Sequence, residues 1–461
     1  MREVSWAQGD VAEPGTDRST RRGEGQAEIL PYQWAVLGAI VLMPLQKGFT
    51  VDLGFPLKPS ELLTMAAIAL FVMRREPERR PWLLPHRLVL VLLGLTFAST
   101  FARWVTAPPT GTWRGYPRSP QTDLVMYLGY ATLVLTLWFL LTRLTWAHVR
   151  SALHLATWVC GAATLLQLVL FRAGQIAVLE ALNYETEARG LGLGEEESTQ
   201  RTGPFVEGQH LGFVSGYLFV HALRDRRYVT ALVALGCIVY SQSTTAIVGV
   251  AAAAVVAIVT RPSISRWAKL ALAVVGFVIV YLMSGGLRLL IRLQMAKLGI
   301  GDAAVDGRLT DRSLDTRFAK TEIATTMMFD HLALGVGPGR YGFYFFDYAT
   351  APPIPAYYWL TNHRAIAENA YLHVGAELGI IALGAFVGLV LLLCFRLRHR
   401  HPGDLATATF AAVAIATQSS WTFIPIWVVL GYLTLAAYTD DPEALGSAET
   451  GPDQKDSIPV V

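Results

Sequence analysis

Residues 124–142 read LVMYLGYATLVLTLWFLLT, nineteen positions without a single charge. A helix rising 1.5 Å per residue needs about 20 mostly apolar residues to cross a bilayer core of about 30 Å, so this stretch has the length and chemistry of a membrane span. A second uncharged block, LVLVLLGLTFASTFA, occupies 88–102. Across all 461 residues, 53% are apolar and only 16% charged, where a soluble domain carries about 25% charge. The chain is therefore read as an all-α polytopic membrane protein, not as a string of soluble domains.

Working outward from those blocks places helices near 33–48, 59–73, 86–106, 122–142, 147–171, 208–223, 228–241, 244–260, 267–287, 367–395, 404–421 and 424–438. The expected fold has about 12 transmembrane helices and one large external loop containing amphipathic helices. The pair within 228–260 is separated only by Ser241-Gln242-Ser243-Thr244, and two short spans with a polar turn are expected there.

Orientation follows from where the basic residues lie. The short loops 74–87, 143–150, 224–227, 261–269 and 396–400 hold 5, 2, 3, 3 and 3 Lys/Arg, and all five fall on one side in this count of spans. The positive-inside bias makes that side cytoplasmic. Residues 1–31 mix Arg2, Arg18, Arg21 and Arg22 with six carboxylates and have no apolar segment to serve as a cleavable signal. They are expected to be a disordered cytoplasmic tail, followed by the first nine helices over 32–287, the external loop over 288–366, the last three helices over 367–438 and an acidic cytoplasmic tail over 439–461. The near-even balance of 38 basic and 35 acidic residues argues against a nucleic-acid binder. Cys160, Cys237 and Cys394 are too widely spaced to form a metal site or a disulfide framework on their own.

Function is expected to face outward. The 288–366 loop begins amphipathically, with Leu289, Leu290, Ile291, Leu293, Met295 and Leu298 among Arg288, Arg292 and Lys297, as a helix lying at the interface would. It carries nine Lys/Arg, among them Arg308, Arg312, Arg317, Lys320, Arg340 and Arg364. Guanidinium forks bind phosphate oxygens bidentately, so a lipid diphosphate is a natural ligand for such a set. Gly335-Val336-Gly337-Pro338-Gly339 lacks the Lys-Ser/Thr of a phosphate loop and is read as a tight turn. At the start of the helix near 367, Asn369, His373 and Glu377 share one stripe. Satisfied packing is the expected role of His373 and Glu377, ahead of a metal site, while Glu368 at the helix mouth is a functional candidate.

Four segments, taken in order, resemble the O-antigen ligase and polysaccharide polymerase superfamily: RTGPFVEGQHLG at 201–212, YSQSTTAIVG at 240–249, DTRFAKTEIATTMMFDHLALGVGPGRYGF at 315–343 and ENAYLHVGAELGIIAL at 368–383. The resemblance implies a membrane glycosyltransferase of the C-type fold in the bacterial cytoplasmic membrane. Its partners would be a polyprenyl-pyrophosphate-linked oligosaccharide, an acceptor glycan or glycolipid, and membrane lipid. Arg201 and Arg317 match the family arginines that engage the pyrophosphate, and Arg340 and Asn369 join them as substrate-binding candidates. Glu368 stands where the ligases carry His, and His363, five residues earlier, is the other source of a catalytic base. No cofactor and no metal are implied, because the guanidinium groups neutralise the leaving diphosphate. The Glu368 departure favours a polymerase over a ligase. A transporter or flippase for a polysaccharide intermediate is the alternative, disfavoured by the lack of an internal repeat.

Sidedness is directly testable. Cysteines introduced as Tyr116→Cys and Glu196→Cys should react with a membrane-impermeant maleimide added to intact cells, and Arg79→Cys and Arg226→Cys only after permeabilisation. The reverse pattern would invert the topology.

Overall fold

The computed structural model describes residues 29–52, 56–74, 82–106, 111–113, 116–118, 120–186, 200–260, 265, 304–305, 308–309, 313–350, 354 and 366–439. Among them are fifteen helices: α1 Pro31–Val41, α2 Pro59–Val72, α3 Leu84–Val105, α4 Pro120–Leu141, α5 Trp146–Arg172, α6 Ile176–Ala181, α7 Gly208–Arg224, α8 Tyr228–Ser241, α9 Thr244–Thr260, α10 Ser313–Asp330, α11 Tyr341–Tyr348, α12 Ala370–Leu378, α13 Ile380–Leu397, α14 Pro402–Ile415 and α15 Ile424–Tyr438. Three two-stranded antiparallel ribbons lie in the connections, with Val51 opposite Leu57, Gly111 opposite Arg118 and Ala304 opposite Leu309.

Four segments are long and apolar enough to cross a membrane: Leu84–Val105, Leu124–Leu141, Trp146–Arg172 and Ile380–Leu397. The apolar helices α2, α8, α9, α14 and α15 are shorter, at about 21–26 Å by their rise. The expected span at 267–287 lies outside the described residues, as do residues 1–28 and 440–461 of the tails and the amphipathic segment at 289–300. The first expected span, 33–48, is realised as the eleven-residue α1. Its helix stops ahead of Pro44, which cannot donate to a preceding turn. Likewise α14 ends at Ile415, short of the expected 421.

Two questions of helix continuity are settled differently. Residues 228–260 form two helices as expected, because Gln242 adopts a left-handed conformation at φ 50°. The single helix expected over 367–395 is instead broken into α12 and α13 at Gly379, whose φ of 89° no other residue takes without strain.

The core is arranged around α15. From Ile424 to Ala437 every residue of this helix is buried, and it packs against α4, α5, α13 and α14. Its apolar residues run all the way round, the pattern of a helix with protein on every side. By contrast α3 presents Leu90, Val91, Phe97 and Phe101 outward. Close approach of α7, α9 and α14 depends on small residues: the Phe410 ring fills the space a side chain would need at both Gly216 and Gly249, 2.6 and 2.8 Å from the positions of the missing Cβ atoms. A second, smaller core joins α10, α11 and α12 through Ala319, Ile323, Met327, Tyr341, Phe345 and Ala376.

The turn at Gly335–Gly339 is sewn onto the α12–α13 break. Val336 N–H donates to Ala376 O at 2.9 Å, Gly337 N–H to Glu377 O at 3.0 Å, and Ile380 N–H to Leu332 O at 2.9 Å. The Ser99 hydroxyl of α3 donates to Leu334 O at 2.6 Å. A Cβ on Gly335 would stand 2.2 Å from the Glu377 carbonyl carbon, with φ at 62°. Gly335→Ala should therefore destabilise the protein by more than about 2 kcal/mol, read as a lowered thermal midpoint in detergent. Gly384→Ala, in a helix with nothing within 4 Å of the new methyl, should hold or raise it.

Candidate functional site

Three chain segments far apart in sequence meet where α10 packs on the start of α12. On α10, Arg317 and Lys320 are three residues apart and so share one face. Both reach Glu368. Arg317 Nε lies 3.0 Å from Glu368 Oε2, and Lys320 Nζ bonds Glu368 Oε1. Arg317 also donates from Nη2 to Gln209 Oε1 on the first turn of α7, at 2.8 Å. Arg317 is more than a third exposed, whereas the Lys320 side chain is 4% exposed and Glu368 18%. The site therefore grades from a solvent-facing guanidinium to a buried ammonium within one ion cluster.

Glu368 occupies its place through an unfavourable backbone. Its φ is 54°, a conformation that costs a non-glycine residue about 1 kcal/mol or more. The next residue fixes the geometry. Asn369 is the N-cap of α12, its side-chain oxygen accepting from Tyr371 N–H at 3.1 Å and Leu372 N–H at 3.2 Å. Asn369 thus acts here on the helix start and sets the direction in which Glu368 emerges.

Arg201 is brought to the same end of the bundle. Its carbonyl and its Cγ lie 3.0 and 3.2 Å from the Cβ position of Gly208, the residue before Gln209. Arg340 is placed differently: it is 2% exposed, and its guanidinium lies over the Phe343 and Tyr344 rings at 5.9 and 5.6 Å. His363, Arg312 and Arg364 fall outside the described residues, and only the backbone of Arg308 is described. The pair His373 and Glu377 is a packing device. His373 Nε2 is 3.0 Å from Glu377 Oε1, and Glu377 also accepts from Trp421 Nε1 at 3.0 Å and from Tyr341 N–H at 3.3 Å. All three glycines of Gly335–Gly339 have positive φ, as a turn requires.

Sequence reasoning missed three contributors. Gln209 and His210 open α7, and His210 Nε2 lies 2.9 Å from the Ser419 hydroxyl, with the Phe423 ring tilted against the imidazole at 4.8 Å. The imidazole is within electrostatic reach of Glu207, Lys58 and Glu368. Lys58 is paired with Glu61 at 2.7 Å and with the Tyr130 hydroxyl at 2.6 Å. Nothing in the spacing of these residues marks them. Just past the end of α10, burial and the Arg103 guanidinium lower the pKa of His331, whose Nδ1 lies 3.3 Å from Arg103 Nη2.

A second polar cluster forms at the opposite end of α7. His154, His221 and Asp225 place one ligand atom each within 4.8 Å of one another. The carboxylate is already occupied, accepting from Arg150 at 2.5 Å, His154 at 2.6 Å and Arg224 at 2.7 Å. Arg224 forks onto Asp404 of α14 as well, at 2.5 and 3.1 Å. This cluster ties α5, α7 and α14 together.

Long apolar helices closed over a buried mid-bundle helix, with an ion cluster at one mouth, define a membrane-embedded helical protein with a polar site. Residues 229–387, about a third of the chain, match the family model described as O-Antigen ligase. That match supports membership of the O-antigen ligase and polymerase superfamily, and with it a ligase- or polymerase-like membrane enzyme acting on a lipid-linked polysaccharide. The matched segment contains Arg317, Lys320, Glu368 and Asn369, while Arg201, Gln209 and His210 precede it. A search of curated proteins found no match.

Because Lys320 is buried, losing its counter-charge should be costly. Glu368→Ala is expected to destabilise the protein by about 2–4 kcal/mol, and Lys320→Met added to it should recover more than half of the loss. Additive losses in thermal unfolding would show that the two residues do not act as a pair.

Proposed function

We propose that the protein is an inverting membrane glycosyltransferase that moves a glycan from a polyprenyl-pyrophosphate carrier to an acceptor hydroxyl at the outer face of the cytoplasmic membrane. The observation that carries this reading is the convergence of Arg317 and Lys320 on one carboxylate, with Gln209 bonded to Arg317 and Arg201 packed on the adjoining turn. Donors that hold a carboxylate in this way suit the oxygens of a diphosphate equally well.

In this reading Glu368 keeps the two cations ordered before substrate arrives, and the diphosphate takes its place between them. The acceptor oxygen attacks the anomeric carbon, the bond to the diphosphate oxygen breaks, and the charge on the leaving group is met by Arg201, Arg317 and Lys320. Charge stabilisation of this kind is often the largest single contribution to a rate. Both Glu368 oxygens are already engaged, one by Arg317 and one by Lys320, so we assign Glu368 to ordering the site. Polymerisation onto another lipid-linked unit is preferred over transfer to a separate acceptor lipid, because Glu368 stands where the ligases that the sequence resembles carry His.

Purified protein supplied with a polyprenyl-pyrophosphate oligosaccharide and acceptor should release the free carrier pyrophosphate. A ladder of lengthening glycans is expected, with Arg317→Ala lowering turnover by about 10²–10³-fold. A single transferred product would make the enzyme a ligase. Carrier movement across reconstituted liposomes without any glycan transfer would replace the enzyme with a transporter.

A further inference from the structure

Beside the cation cluster lies a set of buried amides whose hydrogen bonding is incomplete. Gln200, Gln209 and Gln418 are 3%, 9% and 0% exposed. Both polar atoms of the Gln200 and Gln418 side chains, and Nε2 of Gln209, are buried without a hydrogen-bond partner. Each is adjacent in sequence to a residue already placed at the site. Gln200 precedes Arg201, Gln209 holds Arg317 through its oxygen, and Gln418 precedes Ser419, which bonds His210. Buried amide groups are satisfied in folded proteins as a rule. An amide offers both donors and an acceptor, the combination that matches sugar hydroxyls, which donate and accept in turn. His210 shares this setting, between the Gln209 turn of α7 and the loop bearing Gln418.

We propose that Gln200, Gln209, Gln418 and His210 form the acceptor-sugar subsite of the transferase, with His210 as the general base that takes the proton from the acceptor hydroxyl. The proposal rests on the glycosyltransferase reading above. His210 Nε2 lies 2.9 Å from Ser419 Oγ, and in the proposed mechanism Nε2–H donates to that hydroxyl, leaving the lone pair on Nδ1. The acceptor O–H proton passes to Nδ1, and the oxygen forms its bond to the anomeric carbon. The electron pair of the breaking bond leaves on the diphosphate oxygen. Burial is the largest influence on the resulting imidazolium and opposes it, as does Lys58, while Glu207 and Glu368 favour it. It returns its proton to solvent.

The test uses the full chain in lipid nanodiscs, a polyprenyl-pyrophosphate oligosaccharide as donor and a fluorescent acceptor glycan. His210→Ala should lower kcat by about 10²–10⁴-fold, leave donor binding within about twofold, and regain activity on addition of free imidazole, which a merely structural role would not allow. Gln418→Leu and Gln200→Leu should act mainly by raising the KM for acceptor, by about tenfold as expected for one lost hydrogen bond. Wild-type kcat in His210→Ala would overturn the proposal, as would equal loss of donor binding with no imidazole rescue. Unchanged acceptor KM in both glutamine variants would remove them from the subsite. Wild-type protein inert toward the donor, or turnover insensitive to Arg317→Ala, would instead bring down the glycosyltransferase reading on which the subsite rests.

Discussion

The structure depends on a repaired helix break. Backbone groups inside an apolar bundle cannot be left unpaired, because no water reaches them and each costs several kcal/mol. At Gly379 the helical ladder between α12 and α13 is interrupted, and the nearby backbone groups find partners in the turn that follows α10. Leu332 O receives Ile380 N–H, while Ala376 O and Glu377 O receive Val336 and Gly337 N–H. This exchange fixes α10 against α12. Arg317 and Lys320 are thereby delivered to Glu368, and the ion cluster at the helix mouth follows from a backbone constraint several turns away.

The same turn explains the crowding of glycines there. Side chains at Gly335 or Gly379 would run into the backbone of the opposing strand of the joint, so the site is held by contacts that admit almost no variation. Ser99 and Arg103 of α3 close the other side, donating to Leu334 O and Gly335 O. A rigid joint of this kind suits a site that works by holding charges in fixed positions.

The two polar clusters on α7 differ in a way that bears on function. At the Asp225 end, the carboxylate is saturated by arginines and a histidine, and Asp404 completes the set. At the Gln209 end, a partly exposed guanidinium meets a buried lysine through a strained glutamate, and neighbouring amides have polar atoms without partners. The first arrangement stabilises an anchor between helices. Nδ1 of His154 and both ring nitrogens of His221 have no hydrogen-bond partner at the first end either, so the two ends differ in exposure: the Asp225 side chain is fully buried, whereas that of Arg317 is more than a third exposed.

Much was legible in sequence because membrane helices announce themselves by uncharged length and loops by their arginines. The uncharged blocks, the polar turn at Gln242 and the turn at Gly335–Gly339 all required only local information, as did the candidacy of Glu368 at a helix mouth, while Arg317 was singled out by the family resemblance. The break at Gly379 was not legible, since a lone glycine in an apolar run is compatible with a continuous helix, and its φ is set by the partners it meets in space. Lys320 was visible as one charge among nine, but not as the buried half of a pair. Gln209 and His210 sat inside the quoted 201–212 segment without being singled out, and Gln418 carried no signal, because an amide or imidazole at a helix end acquires meaning only from what packs beside it. The sequence by itself determined a helical membrane protein with nine Lys/Arg in one long connection, for hydrophobic length and charge are additive along a chain. Which cations share a carboxylate, and which amides surround an imidazole, was decided by tertiary structure, because these depend on distances between segments that no local pattern encodes.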